Sequence, residues 1–344
     1  MVACCDAADS DRAIRQTLPM HDRELLERLM LSPARGEDLA HASGQTRAAV
    51  WKRISALRTA GLEIGARRGL GYVLDQPLEL LSGNRILGQL APELLARVAS
   101  LDVIWSLDST NSELLRRATP PKGVAIALAE RQTGGRGRRG RTWTSPLAAN
   151  IYLSLARLFS GGLARLPGLS LVAGIATAEA LQAGGFADVR LKWPNDLVVV
   201  DAGGWRKLGG LLVEGGGEHA GPARAVIGLG LNVRMPRSSV EAISQPWTDL
   251  ATLAGAPPSR NALVAGLLEH WLPALDQFDR EGLSPFLQRY ARLDVLAGRE
   301  VSVHAGDAIQ HALAVGLAED GSLRVRVDGR EQRIHSGDVS VRNA

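Results

Sequence analysis

Hydrophobic residues in the first part of the chain recur at helical spacing and then alternate. The stretch DRELLERLM has the period of an amphipathic helix, GEDLAHAS fits a short second helix, and RAAVWKRISALRTAG puts Val50, Ile54 and Leu57 on one face. Thr46, in the intervening turn, is a candidate N-cap. LEIGARRGLGYVL then predicts two short strands around an Arg-Arg-Gly turn. Two helices joined by a tight turn and followed by a hairpin predict a winged helix-turn-helix.

Residues 100 to about 293 mix strand and helix patterns. The predicted strands are DVIWSLD, GVAIALAERQ, NIYLSLAR, VRLKWP, LVVVD, GGLLVEG and AVIGLGLNV. The predicted helices are STNSELLRRA, SLVAGIATAEALQAGG, NALVAGLLEHWLPALDQFDR and SPFLQRYARL. Because the strands come in runs and do not alternate strictly with helices, an α+β arrangement is favoured over a doubly wound sheet.

The last fifty or so residues alternate cleanly between apolar and polar positions. Leu323, Val325 and Val327 are expected to point inward, and Arg324 and Arg326 outward. Glycine-containing turns separate the short segments. This pattern predicts a small closed barrel of five or six strands.

These patterns divide the chain into three predicted domains of an α+β multidomain protein. Residues 1–78 form the winged helix-turn-helix with a mobile N-terminal tail, residues 79–293 form the central mixed α/β domain, and residues 294–344 form the β domain.

Composition excludes several classes of protein. The 344 residues are 45% hydrophobic and 22% charged, with a net charge of only +4, so any affinity for nucleic acid must come from a local patch. No apolar run is long enough to span a bilayer, and no export signal or membrane partner is expected. Cys4 and Cys5 are adjacent and give neither a disulfide framework nor a metal spacing, so we expect a cytoplasmic protein.

A local basic patch does exist between residues 47 and 68, where six basic residues face a single acid, Glu63. The bases on the second helix of the motif and on the hairpin are suited to DNA phosphates. The predicted DNA-binding residues are Thr46, Arg47, Lys52, Arg53, Arg67 and Arg68. The alternative is a small helical domain with an ordinary solvated face.

The stretch GRGRRGR (135–141) combines arginines with pliable glycine backbone. It matches G-x-G-x-x-G, but Pro146 and a strand pattern follow it, whereas a dinucleotide loop requires a helix. No GK[ST] follows either, which excludes a phosphate-binding P-loop. An arginine-glycine tract of the kind found in disordered tails is the alternative. Its place between two apolar strands favours a binding loop on a folded scaffold.

Five motifs occur in order: SLDSTNSEL, GRGRRGR, KWPND, KLGGLLVE and GLGLNV. In this combination the chain resembles the biotin protein ligases over residues 22 to 342. The N-terminal and C-terminal units are similar to the bifunctional members, which are both ligase and biotin-operon repressor. The resemblance implies a central fold like those of class II synthetases and lipoate ligases, and an SH3-like C-terminal barrel.

The resemblance also implies the chemistry. Such a ligase joins the biotin carboxylate to the α-phosphorus of ATP and passes biotin to a lysine of the biotin carboxyl carrier protein of acetyl-CoA carboxylase. Both reactants of the first step are anions, so positioned cations must offset their repulsion. Lys192, Arg136 and Arg138 are the predicted catalytic residues. Biotinyl-AMP would serve as corepressor of a ligand-promoted homodimer on operator DNA, and Mg²⁺ would accompany ATP.

The remaining site residues follow by resemblance, motif by motif. The predicted biotin-binding residues are Ser109, Thr110, Asn111, Gln132, Arg136, Gly137, Arg138, Lys192 and Gly210. The predicted ATP and adenylate contacts are Arg138, Arg141, Trp143, Asn195 and Asn232, with Asp196 as a magnesium ligand. Helix capping and turn chemistry are the alternative roles for Ser109, Asn195 and Asp196. Two other functions stay open: a ligand-sensing repressor without ligase activity, and a lipoate ligase.

Overall fold

The computed structural model describes residues 20–160, 162, 166–201, 204–217, 222–305, 308–335 and 339–343. The expected mobile tail, with Cys4 and Cys5, lies outside the described residues. Within those ranges no helix is both long and apolar enough to cross a membrane.

The N-terminal unit is built from three helices and a hairpin. These are α1 (Met20–Leu31), α2 (Gly36–Ala42), α3 (Arg47–Thr59), β1 (Ile64–Arg67) and β2 (Gly71–Leu74). The predicted helices and strands are confirmed. The expected inward face of α3 is buried, and the Thr46 hydroxyl accepts a hydrogen bond from the Ala49 amide at 3.2 Å, as an N-cap does.

The central unit contains a seven-stranded mixed sheet within the described ranges, in the order β3-β4-β5-β9-β8-β7-β6. Its strands are β3 (Val98–Leu107), β4 (Val124–Gln132), β5 (Ile151–Phe159), β6 (Val189–Lys192), β7 (Asp196–Asp201), β8 (Gly204–Gly217) and β9 (Ala223–Leu231). The helices are α4 (Gly83–Leu87), α5 (Pro92–Leu95), α6 (Thr110–Arg116), α7 (Leu166–Ala183), α8 (Leu250–Ala254), α9 (Arg260–Glu281) and α10 (Ser284–Leu293). All seven predicted strands and all four predicted helices are present.

Helices cover the two faces of this sheet unequally. On one face α7 packs against the strands, and α9 and α10 pack against α7. Here the alternate apolar residues of the strands build the main core. On the opposite face the short helix α6 packs against β4, β5 and β9. The rest of that face carries polar side chains and glycines, and this is where the predicted site residues gather.

The C-terminal unit is an antiparallel sheet of five strands in the described part of the chain, ordered β13-β12-β11-β10-β14. Its strands are β10 (Glu300–Ala305), β11 (Ala308–Leu317), β12 (Leu323–Val327), β13 (Arg330–Ile334) and β14 (Val339–Asn343). Leu323 and Val325 are buried as predicted, and they join the core of the central unit. Closure of this sheet into an SH3-like barrel stays a prediction.

The central unit contacts each of the other two units. Trp105, Leu147 and Ala148 of the central unit belong to the N-terminal hydrophobic cluster, and the Leu147 amide donates to the Ala60 carbonyl at 2.8 Å. Trp193 is buried in the central core, and its indole N–H donates to the Gly321 carbonyl of the C-terminal unit at 3.0 Å. The domain boundaries at 78/79 and 293/294 stay predictions.

Candidate functional site

The arginine-glycine loop is folded back as a small hairpin. The Gly137 amide donates to the Arg141 carbonyl at 2.7 Å, and the Trp143 amide donates to the Gly135 carbonyl at 2.9 Å. Arg139 and Gly140 have left-handed backbone, with φ of 59° and 71°. A glycine is the natural residue for such a position, which explains Gly140. Arg136 and Arg138 contact Glu214 and Asn195 of the central unit, respectively, although Arg136, like Arg141, is exposed.

A cluster of hydrogen-bonded polar side chains, called the polar pocket below, lies at the start of α6. The amide and hydroxyl of Thr110 donate to Gln132 Oε1, at 2.9 and 3.2 Å. Ser154 Oγ lies 2.6 Å from Asn111 Oδ1, and Asn111 Nδ2 donates to Glu214 Oε2 at 2.8 Å. The network holds Thr110, Asn111 and Gln132 together, and their contact with biotin stays a prediction. Ser109 caps α6 through its hydroxyl, which is the alternative role considered for it.

Glu214 and Ser154 complete this pocket, and sequence reasoning missed both. Ser154 is fully buried on β5, and Glu214 lies on β8. Arg136 forms an ion pair with Glu214 at 3.1 Å and also donates to Ser112 Oγ at 3.1 Å. The signal was present in the sequence, because Ser154 and Glu214 each follow a run of apolar residues within a strand.

A second, charged cluster lies beside the polar pocket. Arg138 donates to Asn195 Oδ1 at 3.3 Å, and Lys207 Nζ forms an ion pair with Asp196 at 2.7 Å. The Lys207 ammonium also lies 5.5 Å from the centre of the Trp143 ring, within cation–π distance. Partial burial lowers the pKa of Arg138 from its ordinary value, but an arginine remains protonated at neutral pH. Cations from two separate elements thus converge on one position.

Lys192 and Lys207 lie in different surroundings, and the catalytic role of Lys192 stays a prediction. The Lys192 ammonium lies over the Trp205 ring, 5.6 Å from its centre. Lys207, which was not predicted, is the lysine that contacts Asp196 and Trp143. The backbone of Lys207 is fixed as well, since its amide donates to the Pro246 carbonyl at 3.0 Å and its carbonyl accepts from the Thr248 amide at 2.9 Å.

Two glycines of β9 make room for side chains of the site. A Cβ on Gly230 would lie 2.4 Å from the Trp143 indole, and a Cβ on Gly228 would lie 2.2 Å from Asn111 Oδ1. Both distances are too short for any side chain. The GLGLNV motif is therefore required for close approach, and these glycines line the site although they were not predicted to. Gly210 stands next to Lys207 and Asp196, as expected of a site residue.

Two buried polar atoms of the site have no hydrogen-bond partner among the described residues, Trp143 Nε1 and Asn232 Oδ1. Leaving such groups unpaired costs about 1 to 3 kcal/mol each. A ligand with one acceptor and one donor at these points would remove that cost. Both residues were predicted to contact the adenylate, and Asn232 is itself fixed by donating to the Thr248 carbonyl at 3.1 Å.

The described residues of the site include few side chains that could bind a metal ion. Among the residues that the structure describes, no group of three or more His, Cys, Asp or Glu side chains could hold a metal ion. Asp196, the predicted magnesium ligand, is a single carboxylate paired with Lys207. Mg²⁺ commonly uses one or two carboxylates and takes its other ligands from water and substrate phosphates. Among the described residues, the single carboxylate of Asp196 fits this way of binding Mg²⁺ and no site built from protein ligands alone.

The predicted DNA-binding residues divide into two groups. Arg47, Lys52, Arg67 and Arg68 are exposed on α3 and the hairpin. Arg53 instead points back to α1, where it forms an ion pair with Asp22 at 2.9 Å. This orientation does not favour its predicted contact with DNA. Thr46 caps the helix, so its side chain already has a structural role.

Known proteins match this chain over nearly its whole length. The biotin/lipoate A/B protein ligase family matches residues 103–232, and the biotin protein ligase C-terminal domain matches residues 297–342. The chain is 41% identical over 309 residues to the bifunctional ligase/repressor BirA of Escherichia coli K12, with 90% of this chain and 93% of that protein covered. The unmatched tenth is shorter than the N-terminal unit, so part of that unit is matched too.

Two further comparisons cover about two thirds or more of the chain. The chain is 32% identical over 243 residues to the biotin–[acetyl-CoA-carboxylase] ligase of Paracoccus denitrificans, covering 67% of this chain and 96% of that protein. It is also similar to the solved structure of a biotin protein ligase from Aquifex aeolicus in complex with biotin and ATP. That similarity has a TM-score of 0.61 at 27% identity, and covers 72% of this chain and 100% of the other.

Proposed function

This chain belongs to the family of the bifunctional biotin ligase/repressors, and from that premise we propose how its site performs the two activities. It is a biotin–[acetyl-CoA-carboxylase] ligase: it activates biotin with ATP and transfers biotin to a carrier protein. The observation that carries the mechanism is the convergence of Lys207 and Arg138 beside the polar pocket.

In the first step a biotin carboxylate oxygen forms a bond to the α-phosphorus of ATP. The bond from that phosphorus to the bridging oxygen breaks, and pyrophosphate leaves with its electron pair. The two reactants repel each other, so cations fixed at the meeting point lower the barrier. We assign this position to Lys207 and Arg138, since Asp196 and Asn195 hold these two cations there.

The polar pocket is suited to the ring system of biotin. A ureido group offers both N–H donors and a carbonyl acceptor, and hydroxyl and amide side chains can satisfy both. Thr110, Asn111 and Gln132 supply them, with Ser154 and Glu214 holding these groups in place. Arg136 contacts this pocket through Glu214, and Gly137 separates Arg136 from Arg138 in the loop. Gly210 lies beside Lys207 and Asp196 of the charged cluster.

The adenylate is proposed to lie against Trp143 and Asn232, whose unpaired polar atoms need a ligand. Asn195 orients Arg138, and Arg141 lies at the outer end of the loop. Mg²⁺, which stabilises charge on the phosphates when it is bound, would use Asp196 as its one protein carboxylate. In the second step the carrier-protein lysine amine attacks the acyl carbonyl, and AMP leaves. We place this reaction in the cytoplasm.

Biotin-dependent exchange of pyrophosphate into ATP tests the ligase activity. We expect exchange with biotin and far less with lipoate at equal concentration. Exchange supported by lipoate alone would favour the lipoate-ligase alternative. Absence of exchange with either acid, in a protein that still binds biotin, would favour the sensor without ligase activity.

The repressor half of the proposal rests on the N-terminal unit. Its winged helix-turn-helix would bind operator DNA through Arg47, Lys52, Arg67 and Arg68. One such unit contacts one half-site, so specific binding requires two units at a fixed spacing. We propose that biotinyl-AMP acts as corepressor by ordering loops of the central unit that complete a homodimer, which couples ligand to DNA by mass action.

Sedimentation with and without biotin and ATP, followed by DNA binding, tests this coupling. We expect the ligands together to shift the chain from monomer to dimer and to strengthen salt-sensitive DNA binding. A chain that stays monomeric with the adenylate bound and binds no DNA would leave only the ligase.

A further inference from the structure

An unusual apolar side chain lies on the basic face of the N-terminal unit. Trp51, on α3, is 58% exposed, whereas Trp193 and Trp271 are buried in the core. Exposing an indole to water is unfavourable in proportion to its apolar area. The side chain has no role in the core, because the buried face of α3 is formed by Val50, Ile54 and Leu57.

Trp51 lines a groove whose other walls are basic. The groove has a volume of about 510 Å³ and runs between α3 and the hairpin. The residues lining it include Arg47, Ala48 and Trp51 from the helix, and Arg67, Arg68 and Tyr72 from the hairpin. An apolar protein partner seated on this groove would desolvate three guanidinium groups, of which Arg47 and Arg67 pair with the exposed acids Glu37 and Asp75. Desolvating these charges without stronger partners is costly. A polyanion that also carries an apolar group would pair with the arginines of the groove and pack against the Trp51 indole.

The position of Trp51 on α3 indicates which group of a nucleic acid it would contact. Trp51 follows Arg47 by one helical turn, in the N-terminal half of α3. In helix-turn-helix proteins the N-terminal part of the second helix contacts base edges in the major groove. The apolar group exposed there is the 5-methyl of thymine, and apolar side chains contact it. Wedging between base pairs is instead typical of proteins that enter the minor groove, which is too narrow for a helix.

We propose that Trp51 is a specificity-determining residue that packs against a thymine methyl group in the major groove of the operator. This inference rests on the proposed repressor function and deepens it, because it names the chemical group that is read. Arg47, Arg67 and Arg68 position the duplex through its phosphates, and Trp51 selects thymine at the base pair that it covers.

The test removes the methyl group and the indole separately. The full-length chain, with biotin and ATP, first selects a duplex from a randomised pool. Dissociation constants are then measured for that duplex and for copies in which single thymines are replaced by deoxyuridine, which lacks only the methyl. At one or two positions the wild-type chain should lose about fourfold in affinity, the value of one buried methyl group. Trp51→Ala should bind both duplexes equally, at the weaker value.

Matched variants keep the result interpretable. Trp51 is exposed, so Trp51→Ala should fold and retain its ligase activity. Trp51→Leu keeps an apolar side chain and should retain part of the methyl dependence. Lys52→Ala removes a neighbouring cation; it should weaken both duplexes alike and reduce the salt slope by about 1.

Three results would contradict the inference. Full methyl dependence in Trp51→Ala, or no methyl dependence in the wild-type chain, would overturn the role of Trp51 and leave DNA binding intact. No salt-sensitive binding of any duplex by the wild-type chain would overturn the repressor function itself, and the inference with it.

Discussion

Two lysines on one face of the central sheet differ in their surroundings. Lys207 contacts Asp196 and Trp143, and Lys192 lies over Trp205. We expect Lys207→Ala to slow biotin-dependent pyrophosphate exchange by about 10²- to 10³-fold, because removing one preorganised electrostatic group from an active site commonly costs that much. Lys192→Ala should retain most of the activity. Thermal unfolding of both variants serves as the folding control, and the reverse ranking of the two activities would restore Lys192 as the bridging cation.

The sequence could not choose between these lysines, because the choice depends on strand register. Asp196 pairs with Gly210, but Val198 pairs with Lys207, since an irregularity between Leu197 and Val198 adds one residue to β8. Without it Lys207 would point to the opposite face of the sheet, because side chains alternate along a strand. A β-bulge of this kind turns the following side chain to the other face of the sheet, and the hydrophobic pattern of the sequence does not predict where it occurs.

The carboxyl group of Asp294 makes the stability of the protein depend on pH. Burial raises its pKa to about 6, and Asp294 Oδ2 has no hydrogen-bond partner among the described residues. The folded protein therefore binds a proton more tightly than the unfolded chain does, so stability falls as pH rises from about 4 to about 6. We expect Asp294→Asn to stabilise the protein by about 2 to 3 kcal/mol at pH 7, and by little at pH 4. Urea unfolding at both values tests this, and an equal gain at both would refute the assigned cause.

Among the elements, those with a strong hydrophobic period were predictable and those without one were not. The helix predicted as SPFLQRYARL has the observed bounds Ser284–Leu293. By contrast β3 begins at Val98, several residues before its predicted start, because it is an edge strand whose first residues are mostly exposed. The helices α4 and α5 were missed, since each is shorter than the window in which a helical period can be recognised.

The loop of residues 135–141 is the element whose response to ligand is most easily measured. Its two backbone hydrogen bonds hold it as a hairpin, and Arg138 connects it to Asn195. We expect amide exchange across the loop to slow when biotin and ATP are added. Arg138→Ala should release the adenylate about 10- to 100-fold faster, the value of one charged hydrogen bond, with little change in unfolding temperature. Arg23→Ala, a distant surface change, is the control. If amide exchange across the loop does not change when biotin and ATP are added, the loop does not contact the adenylate.

At the scale of the whole molecule, hydrogen bonds fix the segment that connects the N-terminal unit to the central sheet. Residues 77–82 are bonded to the sheet and to the start of α9. The bonds run from the Leu81 amide to Glu130 Oε1 at 2.6 Å, from the Ser82 amide to Asn261 Oδ1 at 2.8 Å, and from the Arg234 guanidinium to the Pro77 carbonyl at 2.9 Å. Sequence patterns predicted the units in order but gave no sign of these bonds, because their partners are distant in the chain.

A buried ion pair lies at the centre of this connection. Arg260 and Glu130 are bonded at 2.8 Å, with side chains only 4% and 3% exposed. Arg260 also donates to the carbonyls of Glu79 and Asn150, and Asn150 Oδ1 accepts from the Val233 amide at 2.9 Å. The backbone that follows the site residue Asn232 is thereby linked to the segment that carries the N-terminal unit.

Removing one partner of this pair should be far more harmful than removing both. Arg260→Ala leaves the Glu130 carboxylate buried without its cation, and we expect a loss of about 3 to 5 kcal/mol of stability. Glu130→Gln combined with Arg260→Met leaves no charge, so this double variant should recover much of that loss. The exposed pair Arg324–Glu331 provides the control, since solvent screens it and Arg324→Ala should change the stability far less than Arg260→Ala. Amide exchange at Leu81 and Ser82 should quicken in Arg260→Ala beyond the change in the central sheet. If those amides stay protected and Arg260→Ala is no less stable than Arg324→Ala, the ion pair does not hold the connection.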